Sequence, residues 1–223
     1  MASSEFDSAL VDDLRQTHGV HTIVLYGSHA HGDATPASDV DVAAFADVPE
    51  TVRDARPWQG WVLDAFIYPT ALAPTALAPT ALAPTAVAQA PDTDMLKLLG
   101  GRVLLDERGI AGPLLERLAV LDRQGPRPLP ESEARMRRVW AHKMLARVRR
   151  GDAEAHYRRH WLLYQLLEDY FALRGRWYRG PKRALADLQL NAPATFVAFE
   201  RALAPGASLD TLDALVEHVV SLP

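Results

Sequence analysis

Pro126, Pro128 and Pro130 alternate within the six residues Gly-Pro-Arg-Pro-Leu-Pro at positions 125–130. Proline lacks the backbone N–H and fixes φ, so neither a helix nor a paired strand can run through such a stretch. The chain must therefore be built as two parts joined by a stiff linker. On one side short β-branched runs mix with helical patterns; on the other every pattern is helical. At 223 residues, with 48% apolar content, there is enough chain for a core in each part. We expect a catalytic-type α+β domain over 1–124, the linker 125–130, and an all-α bundle over 131–223.

In the first part, Phe6, Leu10, Val11 and Leu14 recur at helical spacing, so residues 4–16 read as a helix capped by Ser3 or Ser4 and stopped by Gly19. Four short apolar runs follow as strands: His21–Tyr26, Asp39–Phe45, Trp61–Tyr68 and Arg102–Asp106, the last preceded by a short helix near Met95–Leu99. Helices and strands that do not strictly alternate point to a small mixed sheet. Residues 70–84 are Thr-Ala-Leu-Ala-Pro written three times, with a decayed copy from Thr85. A proline every fifth residue excludes a continuous helix, and the expectation is an extended surface loop.

The second part carries apolar stripes through Met136, Val139, Trp140, Met144, Leu145 and Val148, and through Leu163, Leu166, Leu167, Tyr170 and Phe171. The latter starts at Asp152 and stops at Gly175. Further stripes follow Pro181 and run through Phe196 and Phe199 and through Leu209, Leu212, Val216 and Val219. Four or five helices of this kind make a bundle.

Without cysteine there is no disulfide or thiolate metal site, so a metal would need carboxylate or histidine ligands. No run reaches the roughly 18 apolar residues of a membrane span, and the acidic start is unlike a leader; we expect no membrane association and a cytoplasmic location. The formal charge of −4 argues against general nucleic-acid binding. Arginines concentrate between Arg135 and Arg183 against an acidic first hundred residues, and an anionic ligand is expected between the halves.

Leu25-Tyr-Gly-Ser-His-Ala-His-Gly-Asp-Ala-Thr-Pro-Ala-Ser-Asp-Val-Asp-Val-Ala-Ala-Phe45 carries the chemistry. Gly27 and Ser28 stand where a strand turns into a short helix, a place where backbone N–H groups and a hydroxyl meet phosphate. Asp39 and Asp41, two apart on a strand, point to one face. Side by side they repel each other unless a cation lies between them. Asp64, inside the apolar run Trp-Val-Leu-Asp-Ala-Phe-Ile-Tyr, needs a compensating charge too. If its strand neighbours that of Asp41, the three acids converge as hard ligands for Mg2+ or Mn2+. Asp47 and Asp54 read as solvated loop acids, and His29 and His31 as surface groups in a glycine-bounded turn rather than zinc ligands.

Gly-Ser-x-Ala-x-Gly, then Ser-Asp-x-Asp on a strand and a later isolated Asp, resembles the signature of the DNA polymerase β-like nucleotidyltransferases, in particular minimal and kanamycin-nucleotidyltransferase-like members with a helical domain behind the catalytic one. The resemblance implies that Gly27 and Ser28 hold a triphosphate, that Asp39 and Asp41 bind two metal ions, and that Asp64 completes the second site. It implies Lys182 against the triphosphate and Glu168, or its neighbour Asp169, as the base. The arginine pairs 137–138, 149–150 and 158–159 read as exposed helix faces. The expected reaction is transfer of a nucleoside monophosphate, AMP from ATP, to a hydroxyl of a small, aminoglycoside-like acceptor, with loss of pyrophosphate. A protein-AMPylating, antitoxin-like enzyme is the alternative; an inactive nucleotide-binding module is argued against by the three intact acids.

Overall fold

The computed structural model describes residues 3–73 and 95–221, so the repeat beyond Ala73 lies outside the described residues. The chain divides into two compact units, 1–123 and 124–223.

The first unit is a five-stranded mixed sheet with helices. Helix α1 (Ser3–His18) leads into β1 (Thr22–Tyr26), the one-turn helix α2 (Gly27–His31), β2 (Val40–Ala46), β3 (Val52–Trp58), β4 (Trp61–Pro69), β5 (Arg102–Asp106) and α3 (Ala111–Gln124), with 3-10 turns at Thr70–Leu72 and Leu96–Leu98. The strand order is β3-β4-β2-β1-β5; β2 and β4 are parallel and the other pairs antiparallel. This is the mixed α+β sheet expected from the sequence, with helices following. β1 and β2 are apolar on both faces because they sit inside the sheet. β4 alternates: Leu63, Ala65 and Ile67 are buried with Val40, Val42, Ala44, Ile23 and Leu25 against Leu10 and Leu14 of α1. The other face carries Asp64, Phe66 and Tyr68, beside Asp41 and Tyr26.

Two elements escaped the sequence reading. β3, Val-Arg-Asp-Ala-Arg-Pro-Trp, is an edge strand, where charges and a proline are tolerated because one side has no partner to bond. It joins β4 through Gln59-Gly60, both at positive φ (46° and 86°), the geometry of a two-residue hairpin turn with Trp58 facing Trp61. Helix α3 begins where the Asp106 carboxylate accepts from the backbone N–H groups of Ile110 (2.9 Å) and Ala111 (3.1 Å), and it buries Leu114 and Leu118.

The second unit holds five helices among the described residues: α4 (Glu131–Val148), α5 (Ala153–Leu173), α6 (Pro181–Asn191), α7 (Pro193–Leu203) and α8 (Leu209–Val220). Asp152 caps α5 by accepting from Ala155 N–H, as its position predicts. The core is Met144, Leu162, Leu166, Phe199, Leu212 and Val216 with their neighbours. The α4 stripe is corrected: Met136 and Val139 are 61% and 60% exposed. Arg137 holds the inward direction in that half, donating to the buried Asp169 at 2.6 Å, to Glu133 at 3.1 Å and to Glu168 at 3.4 Å. The reading of the arginine pairs as exposed faces fails here, since the Arg137 and Arg138 side chains are only 20% and 19% exposed. Asp169, at 1% exposure, has its pKa raised by burial, while Arg137 and Gln165 pull it down again. Arg174, at the end of α5, stacks on Tyr170 and donates to the carbonyls of His218 and Val219, closing the C-terminus of α8.

The hairpin turn forces a left-handed backbone on Gln59. Gln59→Gly is therefore expected to raise stability and Gly60→Ala to lower it, each by on the order of 1 kcal/mol, read as opposite shifts in thermal midpoint.

Candidate active site

β1 ends at Tyr26, and Gly27 turns the chain into α2 with φ of +69°. The turn needs glycine for a second reason. A Cβ at position 27 would overlap the Asp41 carboxylate, whose Cγ would be 3.1 Å from it. Asp41 thus lies directly over the Gly27 backbone, as the cross-strand pairing Tyr26↔Asp41 requires. Ser28 follows in the same helical turn, half-buried, and Gly32 ends it in a left-handed conformation with its N–H on Ser28 O.

The parallel register pairs Asp41 with Asp64 directly. Both are half-buried on the face opposite α1. Asp39 lies one residue ahead of β2 and is exposed. Among the described residues no group of three or more acids or histidines stands close enough to cage a metal ion. The convergence of Asp41 and Asp64 is direct; that of Asp39 with them is not.

The compensating charge at Asp64 comes from β3. Arg53 donates from Nε (2.8 Å) and Nη2 (2.9 Å) to the two oxygens of Asp64, a bidentate pair, and its guanidinium lies 5.2 Å from the Phe66 ring centre. From the side of Leu96–Leu98, the Lys97 ammonium sits 4.0 Å over the Phe66 ring and 5.2 Å over that of Tyr26. Burial, then the charge of Asp41, raises the Tyr26 pKa far above its ordinary value, so Tyr26 stays a neutral phenol. Arg53 and Lys97 were missed in the sequence: Arg53 sits on the unrecognised edge strand, and Lys97 has no motif around it.

The competing acids belong elsewhere. Asp47 is bound by Arg108 (2.6 and 2.7 Å) and by the Thr70 hydroxyl, and Asp54 by His18 and Arg56. The histidines part company. His29 is stacked on Phe6 and edge-on to Trp61, with its Nε2 buried and without a partner, while His31 Nδ1 donates to the Gly27 carbonyl. They share no ligand geometry, and His29 is not the surface group expected. Lys182 is exposed in the first turn of α6, and Glu168, 35% exposed at its side chain, touches Arg137; both belong to the second unit.

A glycine turn beneath a carboxylate, a second carboxylate in register, and two cations over aromatic rings thus share one face of the sheet. Residues 8–81, within the first unit, match the nucleotidyltransferase domain family. Among solved structures, a nucleotidyltransferase-like protein from Exiguobacterium sibiricum 255-15 aligns over 96% of this chain and 74% of its own, at 13% identity and a TM-score of 0.43. No curated protein matches the chain. Among the described residues no helix is long and apolar enough to cross a membrane.

Burial holds the His29 pKa below its ordinary value, and burial with Arg108 does the same to His21. A depressed folded-state pKa means that the unfolded chain takes up the proton first. Full stability is thus present above about pH 6.5 and declines as pH falls below it. His29→Phe, which keeps the stack, is expected to flatten this decline in thermal melts between about pH 7 and pH 5; an unchanged slope would show that His29 binds its proton equally well in the folded and unfolded chain.

Proposed function

We propose that this domain transfers a nucleoside monophosphate from a nucleoside triphosphate, ATP being the first choice, to a hydroxyl of a small polyhydroxy acceptor. The observation that carries the reading is the register pairing of Asp41 with Asp64 over the Gly27 turn. In the reaction the acceptor oxygen forms a bond to the α-phosphorus, the bond from that phosphorus to the β-bridging oxygen breaks, and pyrophosphate leaves. The hydroxyl proton passes to a carboxylate, for which Glu168 is our candidate. Ser28 and the turn after Gly27 would bind triphosphate oxygens by hydrogen bonds; Lys97, and Lys182 from the second unit, would add positive charge.

The donor set suits a hard divalent ion such as Mg2+ or Mn2+ in kind. Asp41 and Asp64 offer in-register oxygens, Asp39 precedes Asp41 by two residues, and Asp64 already draws a guanidinium in bidentate fashion. Asp39, Asp41 and Asp64 would hold the two ions implied by the resemblance. Such ions would supply neutralisation of phosphate charge during an in-line displacement. Arg53 orients Asp64 through this bidentate pair, and it competes with a metal ion for the same oxygens. Arg53→Met is therefore expected to melt earlier than the parent without metal and to gain more from added Mn2+; equal gains would mean that Mn2+ does not bind at Asp64.

Pyrophosphate release from each triphosphate with Mg2+, in the presence of a panel of aminoglycosides and other polyhydroxy acceptors, tests the reaction. We expect acceptor-dependent release that Asp41→Asn lowers by at least about 100-fold while the melting temperature is kept. Full activity in folded Asp41→Asn would refute the site. Label recovered on polypeptide would replace the small-molecule acceptor with a protein one.

A further inference from the structure

The second unit contains a cavity that the nucleotide site does not use. Helices α5, α6 and α7 and the loop 204–207 enclose about 730 Å³, within the range of small-molecule pockets. Its floor is apolar and fully packed from behind: Leu163 and Leu167 are 6% exposed and Phe199 is 0% exposed. Its polar lining comes from His156, Arg159, His160 and Tyr164 of α5, and from Tyr178.

Two of these groups are left unsatisfied. Arg159 has no carboxylate within ion-pair distance among the described residues and makes one long bond, 3.4 Å, to the Ala202 carbonyl. Its neighbours behave otherwise: Arg158 pairs with Glu154, Arg150 with Asp152, and Arg149 with Asp213. The Tyr178 hydroxyl is buried with no hydrogen-bond partner. Burial, with Tyr164 and Glu168 nearby, pushes its pKa up, so it remains a donor lacking an acceptor. A buried orphan donor costs stability that an incoming acceptor would restore.

We infer that this cavity binds a small amphiphilic acid, its apolar body on Leu163, Leu167 and Phe199 and its carboxylate drawn by Arg159. The lining supplies the Arg159 guanidinium and no carboxylate, so an anion is matched and a cation is not. Tyr178 donates to an acceptor on the same ligand. Binding there requires neither metal nor nucleotide.

Calorimetric titration of the full chain with octanoate, against octan-1-ol as the uncharged counterpart, tests the inference. We expect one-site binding of octanoate at roughly 1 mM or tighter. Octan-1-ol is expected to bind about tenfold more weakly, from loss of the charge-assisted bond. Arg159→Gln should erase the difference between the two probes, and Tyr178→Phe should weaken octanoate severalfold. Ala207→Trp, on the surface loop, should block both; it decides the question should either other variant melt early. No octanoate binding, equal affinity for the two probes, or binding unchanged in Ala207→Trp would overturn the assignment.

Discussion

The parallel pairing of β2 with β4 is the constraint on which the first unit depends. Parallel neighbours place residues of equal register side by side on one face, and here the register brings two carboxylates together. Sliding β4 by one residue would send Asp64 into the apolar layer under α1 and turn Leu63 or Ala65 outward, so the hydrophobic pattern and the site enforce the same register. The repulsion between the acids is met by Arg53, which reaches Asp64 from the next strand along.

Much of this was legible because the informative residues obey period-two and period-3.6 patterns. β1, β2 and β4 are apolar runs with one intruding acid in each of the latter two, and the fold follows from them. β3 hid because an edge strand needs no apolar run; the signal was the Gln-Gly turn between two tryptophans. Arg53 went unseen with it, and so did the guanidinium that balances the charge of Asp64. Asp39 sits just before the strand instead of on it, a difference of one residue that periodicity does not resolve. Lys97 could not be found from sequence, since its place over Phe66 depends on tertiary structure alone.

In the helical unit the reading erred where polar residues go inside. Composition treats adjacent arginines and acids on a helix as solvated, yet Arg137 and Asp169 form a nearly buried pair between α4 and α5. Burying a charge is tolerated when its partner supplies matching bonds, and Gln165 provides a further one to Asp169. That network displaces Met136 from the core side and leaves a hydrophobic residue facing out.

The aromatic group formed by Phe6, His29, Trp58 and Trp61 ties together four elements, α1, α2 and the β3-β4 hairpin. Since His29 lies on α2 and Trp61 opens β4, the turn bearing Ser28 and the strand bearing Asp64 are clamped to one another through ring contacts. The turn and the strand are thereby held together by the same rings. Any adaptation of this sheet face to a ligand would have to come from parts outside these ring contacts, leaving the spacing from turn to carboxylate constant.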